Sequence, residues 1–173
     1  MQIAFFSNTE ILQNEYIMSE KTYIALALGS NLGNAPETFS QACALLRAAG
    51  LEILRVADII STAPVDCPPG TPDFANSALT AVFEGTPEAL LQITQSIEQQ
   101  LGRPADHGFH EARTLDLDII LFGNEIVSLP RLIIPHPRAQ ERRFVLEPLA
   151  QIAPDWVFPD SSLTVQAALR RLI

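Results

Sequence analysis

Two aspartates set into a run of aliphatic residues constrain this chain more than any other feature. In the stretch 113–122, Leu115, Leu117, Ile119 and Leu121 alternate with Asp116, Asp118, Ile120 and Phe122, the period-2 pattern of a strand. Side chains two apart share a face, so Asp116 and Asp118 point the same way with Cα atoms roughly 6–7 Å apart. Asp is a poor strand former. Two carboxylates about 5 Å apart repel by roughly 3 kcal/mol at an effective dielectric of about 20. A divalent cation with oxygen ligands relieves that repulsion, and Mg2+ held by one or two carboxylates plus substrate phosphates is a common arrangement. A half-buried strand with a solvated acidic face satisfies the same pattern.

The charge around this strand is unevenly placed. The chain carries a net charge of −9, which argues against a broad nucleic-acid surface. Of its 11 basic residues all but Lys21 are Arg, and Arg103, Arg113, Arg131, Arg138, Arg142 and Arg143 fall in the segment that holds the two aspartates. Guanidinium planes match phosphate oxygens, so a small anionic ligand is expected there, with surface solubility as the plain alternative. The 173 residues, 47% hydrophobic against 18% charged, suit a folded domain with its own core rather than disorder. No apolar run reaches the length of a membrane span. Two cysteines, Cys43 and Cys67, without a secretory signal point to a reduced, cytoplasmic compartment. Residues 1–20 read as a poorly ordered N-terminal extension with Met18 as an alternative start, and 21–173 as a single domain.

Along the chain, a strand over 22–28 runs into the turn 29–34, which holds Gly29, Ser30, Asn31 and Gly33. It lacks a P-loop Lys and the GxGxxG spacing, so a tight structural turn is the better reading than a phosphate loop. Asn34 and Pro36 open a helix that Gly50 closes, and a strand is expected over 51–61. A Pro-rich loop (Pro64, Pro68, Pro69, Pro72) then leads to a strand over 77–83. Just before that strand, Phe74 and Asn76 are two apart. They are either an aromatic plane and an amide facing one cavity, or a core residue and a turn residue. Thr86-Pro87-Glu88 starts a second helix, ending at Gly102. The polar loop 103–112 has His107 and His110 but no third ligand, so zinc is not expected. Gly123-Asn124 reads as a hairpin turn from the central strand into 125–128. His136 is held stiffly between Pro135 and Pro137, upstream of Arg138, Arg142 and Arg143. After a loop over 153–159, Ser162 is expected to cap a last helix.

Four segments, 29–33, 72–76, 113–123 and 134–149, resemble in order and spacing the motifs of the 6-hydroxymethyl-7,8-dihydropterin pyrophosphokinase family of folate biosynthesis. The resemblance covers about residues 21–160. It implies an α+β fold, a ferredoxin-like antiparallel sheet sandwiched between helix layers. It also implies transfer of the β,γ-pyrophosphate of ATP to the pterin hydroxymethyl group with release of AMP. Carried over by motif, Asp116 and Asp118 hold two Mg2+ ions bridging the triphosphate, and Asp118 is a candidate acceptor of the pterin hydroxyl proton. Phe74 and Phe144 sandwich the pterin ring, while Asn76 and the Thr62 region read its polar edge. His136 and Arg142 contact ATP phosphates, Gln95 and Glu98 lie near the nucleotide, and Arg103 and Arg113 close over the reacting groups. Family members often carry Trp-Gly-Pro where His110-Glu111-Ala112 stand here, and a second Arg where Ala105 stands. The implied partners are ATP and the pterin, with no nucleic acid and no membrane, and a monomer is expected. A relative that binds without transfer would be expected to lack a metal carboxylate or a phosphate-binding Arg, and this chain keeps both. An unrelated interaction domain would have no reason to keep Asp116, Asp118, His136 and Arg142 together.

Overall fold

A computed structural model describes residues 21–64, 70–102 and 113–173. The expected N-terminal extension lies outside the described residues, as do Arg103 and the rest of the 103–112 loop. In chain order the elements are β1 (Lys21–Ser30), α1 (Ala35–Ala48), β2 (Glu52–Val56), β3 (Ile60–Thr62), β4 (Phe74–Glu84), α2 (Pro87–Gln100) and β5 (Asp116–Phe122). Then come β6 (Val127–Leu129), β7 (Leu132–Ile134), α3 (Arg143–Ile152), β8 (Val157–Phe158), β9 (Leu163–Thr164) and α4 (Val165–Arg170). The main sheet runs β2-β4-β1-β5, with β3 also on β4, and every pairing is antiparallel. With β1 and β4 central, this is the ferredoxin-like order that the resemblance implies.

The two faces of β1 differ in size, and that difference positions the site. Ile24, Leu26 and Leu28 point to one face, where they pack with Phe39 and Leu46 of α1 and Leu90 and Ile97 of α2. Each fully buried aliphatic side chain contributes about 1.5–3 kcal/mol. Ala25 and Ala27 point to the other face, where with Ala78 of β4 they meet Val145, Leu146 and Leu149 of α3 and Val165 of α4. Small side chains let α3 sit close to the sheet and bring its N-terminal residues over it. The N-terminus of α2 forms as its sequence dictates, with Thr86 Oγ1 accepting the Ala89 N–H at 3.2 Å and Pro87 in the first turn.

Several expectations need correction. The strand expected over 51–61 is two strands, β2 ending at Val56 and β3 beginning at Ile60, because the backbone leaves the β4 ladder after Ala57. There the Ala57 N–H turns to Ala78 O and the Asp58 N–H to Gln151 Oε1. Strand β4 begins at Phe74, not 77, so Phe74 and Asn76 are sheet residues. A turn forms at Gly123, but the strand after it pairs with β7 instead of folding back on β5. The expected loop over 153–159 contains β8, which pairs with β9. The cap of the last helix is Thr164, whose Oγ1 accepts the Ala167 N–H at 3.1 Å, and Ser162 takes a left-handed φ of 59° in the turn before it.

Candidate active site

The register places two of the candidate site residues, Asn76 and Asp116, in one row across the sheet with a glycine between them. Gly29 of β1 stands opposite Asn76 of β4 on one side and Asp116 of β5 on the other. One step along, Ala27 stands between Ala78 and Asp118. All point to the α3 face, opposite the face that buries Leu117 and Ile119. Asp116 and Asp118 therefore share a face as the alternation requires, with side chains 24% and 36% exposed. Among the described residues no group of three or more His, Cys, Asp or Glu forms a metal cage. A pair of carboxylates suits a hard cation that takes its other ligands from phosphate and water.

Basic side chains surround this pair. Arg113 Nη1 donates to Asp116 Oδ2 at 2.7 Å. His136 is tied to the edge of β5 by its N–H, which donates to Ile120 O at 3.1 Å. Its Nδ1 accepts the Arg138 N–H at 3.2 Å, which leaves Nε2 to carry the proton of the neutral ring. That Nε2 lies 4.0 Å from Asp118 Oδ2. Burial holds the His136 imidazole below its ordinary pKa, and the Arg142 guanidinium adds to this, against smaller opposing effects from its own backbone hydrogen bond and Asp116. Arg142, at the N-cap of α3, is itself pulled down by burial and by Arg138, while Asp118 and Asp116 oppose the shift. Its guanidinium carbon lies 5.5 Å from the centroid of the Phe144 ring, a cation–π contact.

Arg113 is held from two sides. The Asn31 N–H donates to Arg113 O at 3.1 Å, and Asn31 Oδ1 accepts the Arg113 N–H at 2.7 Å. The side chain of Asn31 thus takes the place of a strand partner where the β1–β5 ladder has ended. Next along, Thr114 Oγ1 donates to Leu101 O at 2.7 Å. Arg113 Nε is buried without a hydrogen-bond partner among the described residues. The 29–34 segment is therefore more than a turn, and Asn31 is a site-supporting residue that its sequence context did not reveal.

The second group lies two strands away. Asn76 Nδ2 donates to Thr62 Oγ1 at 2.8 Å, which joins the two expected pterin-edge residues. Phe74 begins β4 on the same face, and Phe144 reaches that face from the first turn of α3; both rings are half-buried. At the outer edge of β5 a cleft of about 310 Å3 is lined by Leu91, Asp118, Ile119, Arg131, Ile133 and His136, among others. Gln95 lies one turn from Leu91 on α2. Arg131 and Ile133 were not assigned from sequence; the Arg cluster around the aspartates was the available signal for the first.

Glu98, which the resemblance places near the nucleotide, is also a backbone strut for β5. It is 7% exposed, and its Oε1 accepts the Leu117 N–H at 2.6 Å, at the residue between the two aspartates. Removing it leaves that N–H buried without this acceptor. Glu98→Ala is expected to lower stability by about 1–3 kcal/mol, read as a fall in the urea midpoint, and Glu98→Gln, which keeps an acceptor, by less. Equal midpoints for wild type and Glu98→Ala would show that the strut is not needed.

Comparison with known proteins gives this site its family. Residues 25–154 match the profile of the family described as 7,8-dihydro-6-hydroxymethylpterin-pyrophosphokinase (HPPK). A 2-amino-4-hydroxy-6-hydroxymethyldihydropteridine pyrophosphokinase of Bacillus subtilis is 43% identical over 131 residues, covering 73% of this chain and 75% of the relative. The folic acid synthesis protein fol1 of Pneumocystis carinii is 35% identical over 171 residues, covering 98% of this chain. This chain spans only 22% of that protein's length. Among solved structures, the Plasmodium falciparum HPPK-DHPS with pteroate superposes with a TM-score of 0.69 at 12% identity. That match covers 88% of this chain and 42% of the Plasmodium chain, and it supports the fold.

Proposed function

The chain belongs to the 7,8-dihydro-6-hydroxymethylpterin-pyrophosphokinase family, and on that premise we propose that it transfers pyrophosphate from ATP to 6-hydroxymethyl-7,8-dihydropterin in tetrahydrofolate biosynthesis. The hydroxymethyl oxygen bonds to the β-phosphorus, the bond from that phosphorus to the oxygen bridging to the α-phosphate breaks, and AMP leaves with that oxygen. The observation that carries the reading is the row Asn76–Gly29–Asp116. It sets a pterin-reading amide and a phosphate-handling carboxylate two strand spacings apart, about 10 Å, on one face.

In this reading Phe74 and Phe144 hold the pterin ring from its two sides, and Asn76 and Thr62 bind its polar edge. The triphosphate lies along β5, with the base directed to the cleft at that strand's outer edge and Gln95 beside it on α2. His136, through its Nε2–H, and Arg142 hold phosphate oxygens. Arg113, and from outside the described residues Arg103, balance the charge that builds on the transferred group. Asp116 and Asp118 are the ligands for Mg2+, two ions in this proposal, which when bound offset charge on the triphosphate and the leaving AMP. Asp118 is the group assigned to receive the hydroxyl proton. The reading takes the protein as a monomer, with 21–173 as one catalytic domain. We place it in the cytoplasm; among the described residues no helix is long and apolar enough to cross a membrane.

The test is AMP formation from Mg-ATP with and without the pterin. The reading expects AMP and pterin diphosphate in equal amounts, and neither when the pterin is omitted. ADP in place of AMP, or AMP formed at the same rate without pterin, would refute it. A further result is expected of Phe144→Ala. Loss of a stacking ring should weaken pterin binding by roughly 1–3 kcal/mol, by analogy with nucleobase stacking, and leave ATP affinity nearly unchanged. Equal losses for both ligands in calorimetry would make Phe144 a packing residue instead.

A further inference from the structure

Gly29 is out of place by every structural criterion except proximity to the site. It lies within a paired strand, with Asn76 on one side and Asp116 on the other. A glycine there weakens a strand, and where the backbone does not require one it marks a close approach by something else. The backbone makes no such demand, since Gly29 is not among the glycines with positive φ, unlike Gly33 four residues later. Packing makes no demand either. A Cβ built at Gly29 meets only Asn76 Oδ1 at 3.6 Å and Asp116 Cβ at 3.7 Å, both ordinary van der Waals contacts. The position is also open: Ala27, Leu28 and Ser30 are 8%, 1% and 1% exposed, whereas Gly29 is only partly covered. There is room for a methyl group, and the sequence leaves it empty.

We infer that the space above Gly29 is the meeting point of the two substrates, where the hydroxymethyl arm of the pterin passes from Asn76 to the phosphates at Asp116, and that Gly29 sets the size of that arm. This rests on the function proposed above and assigns to Gly29 a role in specificity that the motif alone does not give. Asn76 Oδ1 is directed over the gap, and the Asp116 carboxylate borders it from the other strand. A methyl group at Gly29 would occupy the path between them without disturbing either strand. The site is thereby shaped for an unbranched primary alcohol.

The experiment is Gly29→Ala, read for folding and for function separately. Thermal unfolding should show a Tm unchanged or raised by roughly 1–4 °C, because Ala costs less than Gly within a strand. The kcat/KM for the pterin should fall about 10- to 100-fold, the range for one misplaced methylene in a reacting site. Affinity for Mg-ATP alone should stay within about twofold, and calorimetry should show weaker pterin binding. Full kcat/KM in Gly29→Ala would overturn the inference, as would a lowered Tm with equal losses for both ligands. A wild-type protein that binds the pterin but forms no AMP would refute the proposed reaction while leaving this test standing, since pterin affinity still distinguishes Gly29→Ala from wild type. Wild-type protein that binds no pterin would overturn both.

Discussion

Asp116→Ala and Asp118→Ala are each expected to lower kcat by at least about 100- to 1,000-fold at saturating Mg2+, while the protein stays folded. The magnitude follows from the several kcal/mol that a metal clamp contributes to a phosphoryl-type transition state. The fold should tolerate the change, because Asp is a weak strand former and each substitution removes one of two neighbouring like charges. The two variants should differ in stability. Asp116 accepts from Arg113 at 2.7 Å, with both side chains about a quarter exposed, so its loss leaves a half-buried guanidinium without that carboxylate. Asp118 is the more exposed of the two and has no such short contact with His136, at 4.0 Å. A steady-state assay with a Mg2+ titration, paired with thermal unfolding, checks both points. If either variant kept most of the wild-type kcat, the carboxylate pair would not be the metal site.

The second large effect is expected at Arg113. Arg113→Ala should reduce kcat by about 100- to 1,000-fold, the usual consequence of removing one preorganised donor from a site of developing negative charge. Pterin affinity should change little, because Arg113 stands on the phosphate side of the row. Arg113→Lys should restore only part of the loss, since an ammonium cannot bond Asp116 while also presenting the planar donors of a guanidinium to phosphate. The geometry places this guanidinium beside the carboxylate pair, with Nη1 donating to Asp116 Oδ2 at 2.7 Å. A KM-against-kcat comparison decides the point. A rise in pterin KM with unchanged kcat would assign Arg113 to binding rather than to the transfer step.

The parts of this protein that were legible in its sequence are those written in local signals. The alternation around Asp116 and Asp118 gave the strand and their shared face, and Thr86-Pro87 gave the start of α2. The expected sheet order followed from the family resemblance and is the order found. What was not legible depends on contacts distant in sequence. Thr164 rather than Ser162 caps α4 because Leu163 and Thr164 are paired with β8, so the helix begins only after them. The strand after Gly123 pairs with β7, a partner that no local turn signal announces. Asn31 and Glu98 read as a turn residue and a nucleotide contact. Only the fold shows that they hold Arg113 and Leu117, at distances of 82 and 19 residues along the chain. Gly29 belongs to the same class, because its significance lies in what two neighbouring strands place beside it.

Both substrates are expected to meet on the α3 face of the sheet, over the row Asn76–Gly29–Asp116. A crystal structure of the protein with Mg2+, a non-hydrolysable ATP analogue and 6-hydroxymethyl-7,8-dihydropterin tests it most directly. The expected result is the pterin between Phe74 and Phe144 with its hydroxymethyl oxygen above Gly29, and metal-bound phosphates at Asp116 and Asp118. A pterin bound away from Asn76, or phosphates held without either aspartate, would contradict it.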